Sequence, residues 1–177
     1  MKKYLPTVAL LVALVATPRG LSYQVGDGFV RAVISVFSHV SISHMLSNIA
    51  VLLLLTRPWR ASAFRLLFIL LIGGLGGNMA ATVFSQRPVL GASAGILAVL
   101  AFETILGARR RDIPHSLLLA STISMLVYTA GFRLSQLHEG SSYVPHLAGV
   151  LIGVLSALLF IPVVSRRIVT REAATGR

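Results

Sequence analysis

Long apolar stretches with almost no charge fill most of this chain, and they restrict its fold more than any other feature. A helix needs about 20 mostly apolar residues to cross the hydrocarbon core of a bilayer. We expect a membrane-spanning helix in each of six stretches: Tyr4–Thr17, Val40–Thr56, Phe64–Phe84, Val89–Gly107, His115–Phe132 and Tyr143–Val164. The sequence therefore predicts an all-α polytopic membrane protein whose residues 1–177 form a single membrane domain.

The composition excludes several other classes of protein. Charged residues make up 12% of the chain, about half of the roughly 25% that a soluble domain carries. A soluble globular enzyme is excluded on that ground. The 55% of hydrophobic residues excludes intrinsic disorder, which requires low hydrophobicity. Because the chain has no cysteine, it has neither a disulfide framework nor a thiol nucleophile.

The basic residues are distributed unevenly between the two sides of the predicted bundle. Six crossings place both termini on one side, which then holds twelve of the 16 Lys and Arg residues: Lys2, Lys3, Arg57, Arg60, Arg65, Arg109, Arg110, Arg111, Arg166, Arg167, Arg171 and Arg177. The opposite side holds Arg19, Arg31, Arg87 and Arg133. Since Lys and Arg accumulate in cytoplasmic loops, we expect cytoplasmic N and C termini. The net charge of +11 is then explained without a nucleic-acid partner.

The first apolar stretch has two interpretations. Lys2 and Lys3 followed by apolar residues are typical of a signal peptide, and equally of a retained first helix. We expect the helix to be retained because Leu14 does not suit the small-residue cleavage pattern. We place the protein in a prokaryotic cytoplasmic membrane, as a multi-pass integral membrane protein.

Three predicted helices have polar side chains where a membrane segment is normally apolar, which marks a functional site. His44 and Asn48 lie four residues apart in the second helix and so share one of its faces. Ser93 lies in the first turn of the fourth helix, and His146 lies in the first turn of the sixth. The alternating topology brings all of them within a turn or two of the outer membrane surface.

These residue types together are suited to nucleophilic catalysis. A serine at a helix N-terminus lies beside free backbone N–H groups and the positive end of the helix dipole, which favour an oxyanion. A neutral histidine on a neighbouring helix can accept the hydroxyl proton, so Ser93 and His146 form a candidate nucleophile–base pair. His44, Asn48 and the Ser93 backbone N–H can donate hydrogen bonds to the oxyanion.

Two other functions account less well for the same residues. A metal site made of His39, His44 and His146 is possible by residue type, but the chain has no HExxH motif and no carboxylate at that depth, so we expect no metal. A transporter predicts charged or ion-coordinating residues at the membrane midplane, and the sequence has none there.

These residues in this order resemble the rhomboid family of intramembrane serine proteases, over about residues 30–157. The motifs that carry the resemblance are His44 and Asn48 preceded by His39, the run Gly91-Ala92-Ser93 preceded by Gly76-Gly77-Asn78, and His146 followed by Gly149 and Gly153. Four positions depart from the family's usual residues: Val30, Ala94, Leu97 and Pro145.

The resemblance implies a six-helix rhomboid-like bundle, with Ser93 as nucleophile and His146 as general base. It implies an oxyanion hole of His44, Asn48 and the Ser93 amide. His39, Gly91, Gly149 and Gly153 would give structural support. The substrates would be transmembrane segments of other proteins in the same lipid bilayer, cut near the outer face without a cofactor. A second hypothesis is a catalytically inactive rhomboid-like protein that binds or escorts membrane helices.

Overall fold

The computed structural model describes residues 5–56, 63–85, 88–110 and 144–175. In these ranges the chain forms six α-helices, numbered here in chain order: α1 (Leu5–Ala16), α2 (Phe29–Phe37), α3 (Ile42–Thr56), α4 (Ala63–Ser85), α5 (Ser93–Arg110) and α6 (Val144–Thr175). The described residues contain no strand, apart from one isolated β-bridge, so the all-α prediction is confirmed for them. The predicted helix at His115–Phe132 lies outside the described residues.

One helix in the described ranges is long and apolar enough to cross a membrane by itself. It is the 21-residue segment Phe64–Phe84 within α4. Helices α2 and α3 pass the same test only as a pair, and they are bent by 82° at the break between them. The apolar parts of α5 and α6, Ser93–Leu106 and Val144–Phe160, are shorter. The number of spans is therefore not settled by helix length within this part of the chain.

Helix α2 was not predicted from the sequence. It lies between the first two predicted stretches, in the segment Pro18–His39 that was expected only to link them. Its nine residues are too few to cross a bilayer, so a search for membrane spans overlooks it. The helix forms because it has one buried face, with Ala32, Ser35 and Val36 at the i, i+3, i+4 spacing of an amphipathic helix. Phe29 and Val30, the first two residues of the helix, are exposed.

Two helix boundaries also differ from the predicted ones. Helix α5 begins at Ser93 instead of Val89, because the residues before it are extended: Val89 and Tyr23 exchange two backbone hydrogen bonds, with N···O distances of 2.8 and 3.0 Å. Helix α6 continues to Thr175, beyond the predicted end at Val164.

Helix α5 is the central helix of the described bundle and packs against both α4 and α6. Its residues from Ala94 to Glu103 are all buried, so it has no face open to solvent or lipid over that length. Small residues allow the close approach. A Cβ added at Gly149 would overlap the Ala94 carbonyl oxygen, and one added at Gly153 would overlap the Ala98 carbonyl oxygen. This packing holds the start of α5 against the start of α6.

A buried ion pair joins α4 and α5 at the end of the bundle away from Ser93. Arg65 Nη2 lies 2.9 Å from Glu103 Oε1, and the Arg65 guanidinium lies over the Phe102 ring at 5.5 Å. Glu103 therefore neutralises an arginine between the helices, and its carboxylate is engaged ten residues along α5 from the start of the helix.

Candidate active site

Ser93 is the first residue of α5 and is half-buried. The first hydrogen bond of the helix runs from the Ile96 N–H to the Ala92 carbonyl, at 2.9 Å. The backbone N–H groups of Ser93 and the two residues after it therefore have no acceptor within the helix. These N–H groups and the helix dipole create a positive potential beside the Ser93 hydroxyl.

His146 lies in the first turn of α6, with Pro145 directly before it. Proline suits this position, where a backbone N–H would have no partner within the helix. Ser93 Oγ lies 2.8 Å from His146 Nε2, a hydrogen-bond distance. When the serine donates this bond, Nε2 is the acceptor and the ring proton is on Nδ1. The two side chains have the geometry of a nucleophile and its general base.

His44 lies beside the nucleophile across Gly91. A Cβ built on Gly91 would lie 3.0 Å from His44 Cε1, 3.5 Å from His44 Nε2 and 4.0 Å from Ser93 Oγ. The imidazole and the serine hydroxyl therefore approach the same point, which only a glycine leaves open. Gly91 also has φ +119°, a value that side chains disfavour. Both the space and the backbone conformation require glycine here.

Asn48 and His39 form a buried pair on the far side of His44. Asn48 Nδ2 lies 2.9 Å from His39 Nε2, and both side chains are almost inaccessible, at 2% and 1% exposure. The His39 and His44 rings meet edge to face, with 5.1 Å between their centroids. Asn48 is thus linked to His44 through the ring of His39.

His39 contacts the chain before α2 and within α3 through different groups. Its backbone carbonyl accepts a hydrogen bond from the Gly20 N–H at 3.2 Å. Its ring is hydrogen-bonded to Asn48. His39 thus joins the loop that follows α1 to helix α3.

Ser35 and Asn78 lie near the site, and the sequence analysis assigns neither of them a catalytic or supporting role. The Ser35 carbonyl on α2 accepts a hydrogen bond from the Gly91 N–H at 2.9 Å, and Asn78 on α4 donates to Ser35 Oγ at 3.0 Å. The signal for Asn78 is present in the sequence, because an amide inside an apolar membrane segment marks a functional or structural contact. Ser35 has no such signal, because it lies in a helix that the sequence analysis did not predict.

The described part of the chain contains no group of three His, Cys, Asp or Glu side chains placed to hold a metal ion. His39, His44 and His146 do not form such a group.

The Rhomboid domain family model matches residues 26–163, which is well over half of the chain. This chain belongs to the rhomboid family. The resemblance stated from the sequence motifs is therefore confirmed. Rhomboids are integral membrane proteins, generally serine proteases that act on transmembrane substrates within the bilayer. No curated protein sequence matches this rhomboid.

Ala94 follows the serine directly, where the family usually has glycine, and the packing of this rhomboid accommodates it. A Cβ built on Gly77 would lie 2.5 Å from the Ala94 Cβ, so glycine at position 77 provides the space for the alanine methyl group. Ala94 is 1% exposed, and its backbone N–H is retained at the start of α5. The alanine therefore fits without removing a potential oxyanion donor.

Proposed function

We propose that this protein is an intramembrane serine endopeptidase that cleaves transmembrane segments of other membrane proteins near the outer face. The observation that carries the proposal is the 2.8 Å contact between Ser93 Oγ and His146 Nε2. These residues come from the N-terminal turns of two different helices that the glycine contacts hold together. A protein that only binds helices has no need of such a contact.

The topology belongs to the same proposal. Residues 1–177 form one membrane domain with six spans, the fifth at His115–Phe132, and both termini are cytoplasmic. Twelve of the 16 Lys and Arg residues lie on the cytoplasmic side in this arrangement, as the positive-inside rule requires. The Ser93–His146 contact then lies in the outer half of a prokaryotic cytoplasmic membrane.

The reaction proceeds through an acyl-enzyme. Ser93 Oγ attacks the carbonyl carbon of the scissile peptide bond while its proton moves to His146 Nε2. The tetrahedral intermediate collapses, the C–N bond breaks, and His146 returns the proton to the leaving amine. A water molecule then attacks the ester, again losing its proton to His146, and Ser93 is released with the second product. No metal or cofactor takes part in these steps.

The developing oxyanion is stabilised by groups that surround the serine. The Ser93 backbone N–H lies in the first turn of α5, and the His44 ring lies beside it across Gly91. Asn48 acts on the same site as a second side-chain donor or by holding the neighbouring histidines through its bond to His39. Donors that are fixed before the reaction stabilise the transition state without a cost of reorganisation.

The oxyanion assignment predicts the effect of two substitutions in α3. We expect His44→Ala and Asn48→Ala each to lower kcat by about 10²–10³-fold, the usual effect of losing one such donor, with little change in KM. Cleavage of a model transmembrane substrate in proteoliposomes measures both constants. Leu46→Ala, at a position of the same helix that is 54% exposed, is the matched control. A raised KM with an unchanged kcat in these variants would instead assign α3 to substrate binding.

A serine-directed fluorophosphonate probe tests the proposed nucleophile. We expect the purified protein to be labelled at one residue, and Ser93→Ala to abolish the labelling because the activated hydroxyl is removed. Ser22→Ala, in the first outer loop, should be labelled as strongly as the wild type. Folded wild-type protein that resists the probe in detergent and in lipid, and leaves a transmembrane substrate uncut, would favour the inactive helix-binding protein.

A further inference from the structure

Asn78 and Ser35 form a buried hydrogen bond that the proposed reaction does not use. Asn78 is 1% exposed and Ser35 is 0% exposed. Asn78 Nδ2 donates to Ser35 Oγ at 3.0 Å, and Ser35 Oγ in turn donates to the Ala32 carbonyl at 2.7 Å. Burying an amide and a hydroxyl in an apolar bundle is costly unless both are hydrogen-bonded. The pair joins α2 to α4 by a polar contact at a place where an apolar contact would have served packing equally well.

The same serine supports the segment that leads to Ser93. The Ser35 backbone carbonyl accepts the Gly91 N–H at 2.9 Å, and Gly91 has the left-handed φ of +119° that turns the chain into α5. Ser93 follows two residues later. Helix α2 therefore holds the Gly91 turn at one end, while the two Val89–Tyr23 hydrogen bonds hold the residues just before it. The turn then orients the residue that carries the serine hydroxyl.

Helix α2 depends on α4 for its own position. Its nine residues are too few to be stable by themselves. Against α4 it makes a close contact between Val36 and Gly74, where an added Cβ would lie 2.7 Å from Val36 Cγ1. Apolar contacts of this kind allow a helix to slide or rotate, whereas the Asn78–Ser35 hydrogen bond is directional. Asn78 therefore defines the rotation of α2 about its axis.

We propose that Asn78 and Ser35 are positioning residues that hold the Gly91 turn, and through it the Ser93 hydroxyl, in register with His146. The inference rests on the proposed function for its catalytic consequence. Its structural part does not depend on the proposed function. This part is that the Asn78–Ser35 hydrogen bond between α4 and α2 controls the turn before α5. A displacement of about 1 Å in a reacting group lowers a rate by about 10²-fold, so a small rotation of α2 is sufficient to matter.

The test compares Asn78→Ala, Ser35→Ala and the double variant with Thr82→Ala as the matched control. Thr82 lies one turn further along α4 and is equally buried, at 2% exposure. Its hydroxyl bonds only within the helix, to the Met79 carbonyl at 2.8 Å. Both α4 variants thus remove one buried polar side chain from the same helix, but only Asn78→Ala disconnects α2.

Two readouts separate this proposal from the proposed function. We expect backbone amide exchange at residues 89–92 to accelerate about tenfold or more in Asn78→Ala and Ser35→Ala, with no change in Thr82→Ala. We expect fluorophosphonate labelling and kcat to fall about tenfold in the same two variants with KM unchanged. The double variant should show little further loss, because both single changes remove one contact.

The outcomes are distinguishable. Unchanged amide exchange at residues 89–92 in Asn78→Ala would overturn the proposal whatever the activity of the wild type. An equal loss of rate in Thr82→Ala, at an equal loss of thermal stability, would also overturn it, since the effect would be general destabilisation. The wild type could prove neither labelled nor active while amide exchange still accelerates in Asn78→Ala and Ser35→Ala. That result would support the positioning of the turn and reject the protease function.

Discussion

His146→Ala is expected to lower the turnover of a transmembrane substrate by about 10⁴-fold or more, the scale seen when a member of a serine nucleophile–base unit is removed. The imidazole accepts the Ser93 proton across 2.8 Å, and without it the hydroxyl attacks as a weak neutral nucleophile. KM should change little, because substrate contacts elsewhere in the bundle remain. Rates of substrate cleavage in proteoliposomes, measured over a range of substrate concentrations, give both quantities.

Two comparisons make the His146 result specific. Leu159→Ala lies on the same helix at a position that is 76% exposed, and it should retain the wild-type rate. Ser93→Ala combined with His146→Ala should be no slower than either single variant, because residues that act as one unit are not additive. A loss of less than tenfold in His146→Ala would mean that another group takes the serine proton, and the dyad would be wrong.

Gly149→Ala is expected to reduce both stability and activity, because the added methyl group meets backbone atoms. A Cβ at this position would overlap the Ala94 carbonyl oxygen and lie 2.9 Å from the Ala94 carbonyl carbon. No side-chain rotation relieves that contact, so α6 must move away from α5. Overpacking of this kind typically costs about 1–3 kcal/mol. Since Gly149 is one turn from His146 and Ala94 follows Ser93, the movement also lengthens the catalytic contact.

Thermal unfolding in detergent and the rate of substrate cleavage measure the two effects of Gly149→Ala. Gly28→Ala makes the same chemical change where no atom lies within 4 Å of the added Cβ, and it should behave as wild type. Gly153→Ala meets the Ala98 carbonyl oxygen in the same way one turn deeper, so it should lose stability with a smaller loss of cleavage. Wild-type stability and rate in Gly149→Ala would contradict the close contact of α5 and α6.

The glycines of α6 show how much of the helix packing a sequence pattern can predict. The GxxxG spacing of Gly149 and Gly153 predicts close helix packing, and the structure adds the partner, the carbonyl groups of α5. A sequence pattern identifies the face of a helix that is small. It does not identify the helix that packs on that face, because many apolar helices are chemically equivalent partners.

Asn48 and His39 likewise separate what helical periodicity predicts from what the structure adds. The HxxxN spacing places His44 and Asn48 on one face of a helix, which suggests that both face the oxyanion. The structure adds a hydrogen bond from the Asn48 amide to His39, a residue outside α3 in the break after α2. The direction of an amide side chain depends on which acceptor is nearest in space, and periodicity carries no information about that choice.

The sequence by itself predicted the helices of the described residues, except α2, and a membrane location, and it identified Ser93 and His146 as the candidate pair. Apolar length, the shortage of charge and polar residues at helix ends are local properties, and they can be derived without knowing any contact. Only the tertiary structure decided that α2 forms, that Asn78 reaches Ser35, and that the Ser35 carbonyl holds Gly91. These features arise from contacts between segments far apart in the chain, where burial in a shared core outweighs local preference.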